Sequence, residues 1–203
     1  MKWLLNCVMS HRSRGLLARL RSKLPPSGII ADIGSGTGHN AEEIRRLGNL
    51  AVHEFDVADL HWVGPGPEIV RGNRFPVADH AFDGLLLAFV LQYPNSPHDL
   101  LRECRRVSRG PLMIFQSTYR GRWGRTVLAI REFVWGRLAL RLALLAGLVR
   151  PGNCSLQPRH YFTRLELMRL FTSAGLVIVE TRPAEWRGFC VSRDLFVLKS
   201  EES

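Results

Sequence analysis

The sequence predicts an α/β domain: a doubly wound, mostly parallel seven-stranded sheet with helices on both faces and a helical insertion after the fifth strand. Three observations predict it. Short apolar runs alternate with helical stretches along most of the 203 residues, the pattern of strand–helix–strand crossovers. The first run, Ile29 to Ile33, feeds straight into a glycine-rich turn and then a helix. The last two runs, Leu176 to Glu180 and Leu195 to Lys199, have no helix between them and can pair antiparallel.

Each element has its own reason. Ser10 to Leu24 reads as a basic helix with Leu16, Leu17 and Leu20 on one side, stopped by Pro25 and Pro26. Ile29 to Ile33 is a short buried strand, Gly34 to Gly38 a turn, and His39 to Leu47 a helix ended by Gly48. Ala51 to Phe55 is a second strand, followed by Asp56. Pro65-Gly66-Pro67 breaks the chain before a weak third strand, Glu68 to Arg71. Gly84 to Leu91 is a strongly apolar fourth strand. Ser96 caps the next helix, with Pro97 at its first position, and that helix runs to about Val107. Pro111 to Gln116 is the fifth strand. Thr163 and Glu166 form a capping box for a helix ended by Gly175.

The stretch from Arg122 to Arg150 interrupts the alternation. It is apolar nearly all round a helical wheel, yet Arg131, Glu132, Arg137 and Arg141 fall inside it. Each charge at a bilayer centre costs about 2.5–3.5 kcal/mol, which argues against a spanning helix. A helical insertion, broken near Gly136, is expected. The reading is a single domain over 1–203, with an N-terminal helical cap over 1–26 and a helical insertion or lid over 121–157.

The composition, 46% hydrophobic and 23% charged, is ordinary for a globular chain. The formal charge of +10 admits an anionic membrane surface, an anionic substrate or RNA, as well as a merely solvated basic surface. Cys7, Cys104, Cys154 and Cys190 are isolated, so no metal site and no zinc pairing is expected. The apolar run Trp3 to Met9 is too short for a signal-peptide core. A cytoplasmic protein, with membrane-peripheral contact admitted, is expected.

The candidate site centres on Asp32-Ile33-Gly34-Ser35-Gly36-Thr37-Gly38. Glycines let the backbone turn sharply and approach a ligand. A lone glycine triplet is a weak signal, but two acids sharpen it. Asp32 stands just before the glycines, where a pyrophosphate is disfavoured and a cationic amino-acid ligand is welcome. Asp56 ends the second strand, 24 positions later, where a carboxylate can accept from ribose hydroxyls. Together they point to a nucleoside bearing an amino acid.

Four ordered motifs then carry a family resemblance. Ile29 to Gly38 (IIADIGSGTG) resembles motif I of class I S-adenosylmethionine-dependent methyltransferases. Phe75 to Asp83 (FPVADHAFD) is similar to that family's stretch leading into the fourth strand. Leu101 to Gly110 (LRECRRVSRG) and His160 to Gly175 (HYFTRLELMRLFTSAG) resemble its later helices. The likeness covers about residues 27–120 and 158–200 and is nearest to a small-molecule, quinone-pathway-like branch. It implies a Rossmann-like fold, with S-adenosylmethionine as cofactor and S-adenosylhomocysteine as product. It implies that Asp32, Gly34, Ser35 and Gly36 line the methionine end, with Gly38 closing the turn. Asp56 would hold the ribose and Val57 lie beside the adenine. Phe89 to Tyr93 would lie against the sulfonium and the acceptor. The acid that the family carries on its adenine side is replaced by Arg71-Gly72-Asn73, which leaves the Asn73 amide as candidate. Only 12 residues separate Asp56 from Ile69, so the usual third helix is short or lost.

Gln92, Tyr93 and His160 are the candidates for the acceptor side, none of them a firm base. An in-line methyl transfer needs alignment and exclusion of water more than a base. No Asn/Asp-Pro-Pro-aromatic motif follows the fourth strand, and no Pro-Cys pair is present. These absences disfavour amino-directed base methylation and cytosine C5 methylation. O- or C-methylation of a small or lipid-like acceptor is expected. Residues 122–150 would meet a membrane surface or form a homodimer, and nucleic acid is disfavoured as a partner. An RNA methyltransferase and a non-catalytic binding protein on the same scaffold remain as alternatives.

Overall fold

Strand β1 (Gly28–Ile33) is an interior strand of the sheet, and its last four residues are buried. In the computed structural model, residues 2–72, 74–145, 158–183 and 190–201 are described, with the backbone alone for residues 2 and 135–145. Helix α2 (His39–Arg45) follows β1, then β2 (Leu50–Asp56) and the two-residue β3 (Glu68–Ile69). Next come β4 (Gly84–Ala88), α3 (Pro97–Val107) and β5 (Leu112–Tyr119). Helix α4 (Gly121–Leu145) is the insertion. The chain ends with β6 (Phe162–Thr163), α5 (Arg164–Ser173), β7 (Leu176–Pro183) and β8 (Val191–Ser200).

The sheet order is β3-β2-β1-β4-β5-β8-β7, with β6 paired to the end of β5. Strands β3 to β5 run parallel, and β8 runs antiparallel to both β5 and β7. The seven expected strands are therefore present, and β6 is an eighth.

Two cores cover the two faces. On one, Leu85, Leu87, Ile114 and Phe196 pack against Leu101 and Cys104 of α3 and Leu167 and Phe171 of α5. On the other, Ile30, Leu86, Met113 and Phe115 meet Ile44 of α2 and Leu16 and Leu20 of helix α1 (Lys2–Leu20). The caps are as the sequence implies. Ser96 Oγ accepts from the Asp99 N–H at 3.2 Å, and Thr163 and Glu166 close a reciprocal capping box.

Several boundaries differ. Helix α1 starts at Lys2 rather than Ser10, because the apolar run before it holds no Gly or Pro and continues the helix. Strand β4 stops at Ala88 rather than Leu91. Phe89 there takes φ +60°, which turns the chain out of the sheet. Strand β8 begins at Val191, four residues early. Its polar start is paired with β5, and Asp194 accepts from Thr118 Oγ1 at 2.8 Å and from Ser192 Oγ at 3.0 Å. The α4 backbone is helical through Gly136 without a break, since one glycine costs only about 1 kcal/mol in a helix. Between β2 and β3 the chain makes turns and bends and no helix. Cys154, the end of the insertion over 146–157 and Asn73 lie outside the described residues.

Candidate active site

The turn after β1 sits at the carboxyl end of the sheet, the end where doubly wound folds bind ligands. The N–H groups of Gly34 and Ser35 donate to the Phe55 carbonyl at 2.8 and 3.2 Å, which ties the turn to β2. Gly34 has φ +67°, and a Cβ there would lie 2.6 Å from Val90 Cγ2. Gly38 has φ +79°, and a Cβ there would lie 2.3 Å from the Val63 carbonyl oxygen. Both positions exclude any larger residue. A Cβ on Gly36 would meet only the Gly34 carbonyl oxygen, at 3.9 Å, so this side of the turn is open.

Asp32 and Glu54 are register partners on adjacent parallel strands, so their carboxylates share one face of the sheet. Glu54 is satisfied. It accepts from Arg45 Nη2 at 2.5 Å and is paired with His61 Nε2. Asp32 is fully buried, and neither of its oxygens has a hydrogen-bond partner among the described residues. Burial, and then the Glu54 and Asp56 carboxylates, push its pKa up to about 8. The Ser35 hydroxyl beside it is also buried and without a partner among the described residues.

Asp56 Oδ2 accepts from the Gly36 N–H at 2.8 Å, and Oδ1 from the Val57 N–H at 2.7 Å. Oδ1 also accepts from the Ala58 N–H at 3.4 Å, so these bonds hold the carboxylate still and leave Oδ2 a second lone pair for a hydroxyl donor. Burial raises the Asp56 pKa against the pull of those N–H groups. Val57 stands exposed next to it. The loop after Val57 folds back over the turn. The Trp62 N–H donates to the Thr37 carbonyl at 3.2 Å, and the His61 ring closes on Gly38.

Phe89 turns toward α1. Its ring stacks on Phe115 at 6.5 Å, with the guanidinium carbons of Arg12 at 5.0 Å and Arg193 at 5.2 Å from the ring centre. Gln92 is buried. Its Oε1 accepts from Gln116 Nε2 at 2.6 Å, and its carbonyl accepts from the N–H groups of Arg159 and His160. His160 Nε2 meets the Pro94 carbonyl at 2.9 Å, so that nitrogen carries its proton. The ring also stacks on Phe162. Burial raises the Tyr93 pKa against a hydrogen bond with Gln92, so the phenol is a donor at neutral pH. Gln92, His160, Tyr161, Ser117 and Leu128 and Glu132 of α4 line one crevice. The structure thus gathers Asp32, Ser35, Gly36 and Asp56 around one turn, and Gln92, Tyr93 and His160 into a second group beside β5 and α4.

Glu54, Arg45, His61, Arg12, Phe89's backbone and Arg193 were not legible as site residues. One signal existed: Glu54 is an acid inside a mostly apolar strand.

The donors fit S-adenosylmethionine. An unpartnered buried carboxylate suits its ammonium group, an open glycine backbone admits close approach, and a fixed carboxylate at the end of β2 suits ribose hydroxyls.

Comparison with known proteins agrees. Residues 31–111 match the family described as "Methyltransferase domain". No curated protein matches the chain's sequence. Among solved structures, a S-adenosylmethionine-dependent methyltransferase from Methanosarcina mazei is similar at 17% identity and TM-score 0.61, covering 91% of this chain and 98% of its own. Geranyl diphosphate C-methyltransferase from Streptomyces coelicolor is similar at 12% identity and TM-score 0.64, covering 94% and 78%. A methyltransferase from Haloferax volcanii, solved with the activator Trm112, is similar at 13% identity and TM-score 0.64, covering 94% and 92%. Residues 31–111 thus match a methyltransferase domain, and the solved structures share the chain's Rossmann-like fold.

Proposed function

We propose that the chain transfers a methyl group from S-adenosylmethionine to an oxygen or carbon of a small or lipid-like acceptor, in the manner of the quinone-pathway branch. The observation that carries this reading is the Asp32 carboxylate, buried with both oxygens unpartnered among the described residues beside the open side of Gly36. Bound there, the cofactor supplies a methyl carbon already activated by its sulfonium. The chain's residues then bind, orient and keep water out.

Asp32 and Ser35 hold the methionine end, Asp56 the ribose, and Val57 the adenine, with Asn73 assigned to the adenine amino group by the family resemblance. Gln92, Tyr93, His160 and Phe89 face the acceptor. The Tyr93 phenol donates a hydrogen bond rather than taking a proton, which suits an acceptor that needs no strong base. Likeness to a geranyl diphosphate C-methyltransferase supports a small, lipid-like acceptor. Residues 122–150 would bring that acceptor from a membrane surface or pack against a second copy.

Calorimetric titration with S-adenosylmethionine and S-adenosylhomocysteine, on wild type and Asp56→Ala, tests the reading. Binding in wild type that weakens in the variant supports it. No binding in wild type overturns it in favour of a non-catalytic scaffold. Methyl incorporation into RNA but not into lipid extracts would move the acceptor to RNA.

A further inference from the structure

Helix α1 touches Phe89 and helix α4 lines the crevice of Gln92, and both turn apolar residues to the outside. From α1, Arg12 reaches the Phe89 ring. From α4, Arg131 Nη2 donates to Ser117 Oγ at 3.0 Å, and Ser117 Oγ lies 3.4 Å from Glu132 Oε1. Tyr93 feels the charges of both Arg12 and Glu132, so both helices lie within electrostatic range of it.

On the outside of α4, Trp123, Val127, Ile130 and Val134 follow each other at spacings of four, three and four residues. All are exposed, Trp123 by 79% and Ile130 by 59%. That spacing is one stripe along a helix. Helix α1 exposes Trp3, Leu4 and Val8. A contiguous apolar stripe in water marks an interaction surface rather than a scattered surface residue.

The charges choose its cover. Helix α1 holds three arginines and one lysine and no acid. Helix α4 holds five arginines and one acid, and that acid, Glu132, is paired inward with Arg131. Arg120, Arg122 and Arg125 are exposed at the start of α4. A second copy of a +10 chain would bring like charges together. An anionic bilayer would meet the arginines with opposite charge and take the apolar side chains at its interface. No helix among the described residues is long and apolar enough to cross a membrane, so the contact lies in the plane of the surface.

We propose that the outer faces of α1 and α4 dock this protein on an anionic lipid surface, with the Phe89 to Gln92 stretch that the two helices touch held near the lipid. The docking stands on the two helices. Its use, delivery of a lipid-like acceptor, rests on the function proposed above.

Co-sedimentation of the full chain with vesicles tests it. Vesicles of phosphatidylcholine doped with phosphatidylglycerol pellet the wild type, and phosphatidylcholine alone does so weakly. The double variant Val127→Glu/Ile130→Glu loses about tenfold or more of the partition coefficient. Its affinity for S-adenosylhomocysteine is unchanged, because both residues lie on α4, outside the glycine turn. Equal sedimentation of wild type and variant overturns the proposal. So does a wild type that pellets with neither vesicle, including one found as a dimer that the variant converts to monomer. Vesicle binding without S-adenosylhomocysteine binding leaves the docking standing and removes the functional reading; the reverse removes the docking alone.

Discussion

Asp32 is the residue with most at stake. Its pKa of about 8 stands above the ordinary carboxylate value of 3.8. Between those two pH values the folded chain therefore binds more protons than the unfolded chain. Stability contributed by this group is present at low pH and is lost as pH rises toward 8. Asp32→Asn removes the buried ionisable group. It should raise the Tm of the ligand-free protein at neutral pH, and more at pH 8 than at pH 5, in thermal melts. The same substitution should abolish measurable cofactor binding. In wild type, pairing with an ammonium group needs ionised Asp32. Affinity for S-adenosylhomocysteine should thus climb from about pH 6 toward about pH 8 and flatten there, as the ligand's own amino group begins to lose its proton. Calorimetry in buffers of different ionisation enthalpy should detect about one proton released at pH 6.5. A flat pH profile would contradict this account.

The legibility of these residues divides cleanly. Asp32 and Asp56 could be read because each stands at a strand end beside a glycine or a break. Glu54 and His61 could not be read. Their pairing depends on the loop after Val57 folding back over Gly38, and no local spacing encodes that. Phe89 is a similar case. An apolar residue in an apolar run reads as strand, whereas its φ of +60° is imposed by the packing of the turn that follows.

At the scale of elements, the glycine turn and the caps make the sharpest predictions. Gly38→Ala places a methyl group where the Val63 carbonyl stands. It also forces an alanine to positive φ, which costs about 1 kcal/mol or more before the clash is counted. Chemical denaturation should show that loss, together with weakened cofactor binding, because the loop that closes the turn is displaced. Thr163→Ala removes the hydroxyl that accepts from the Glu166 N–H and so breaks one half of the capping box on α5. It should destabilise by about 1 kcal/mol and leave S-adenosylhomocysteine affinity unchanged. Strand limits were the least legible feature. Those of β5 and β8 run longer than their apolar cores, because Thr118, Ser192 and Asp194 satisfy each other across the pair. Pairing of buried polar groups is a property of two strands together.

For the whole molecule, binding to the folded state should couple to stability. S-adenosylhomocysteine at about one hundred times its Kd adds about 2.7 kcal/mol. For a chain of this size that corresponds to a rise of roughly 5–10 °C in Tm. A ligand-independent Tm in differential scanning fluorimetry would contradict the cofactor assignment.

The sequence by itself determined the α/β class, the chain order of the strands, both helix caps and the position of the cofactor turn. Each of these is written in local chemistry: periodicity, a capping pair, glycines between a strand and a helix. The tertiary structure alone decided three things. Among the described residues it left Asp32 without a hydrogen-bond partner while giving Glu54 two. It turned Phe89 between two guanidinium groups. It left one side of α4 outside the core while the other side reached the crevice of Gln92. All three depend on which surfaces meet when distant segments pack, and burial and charge pairing are settled only by that meeting.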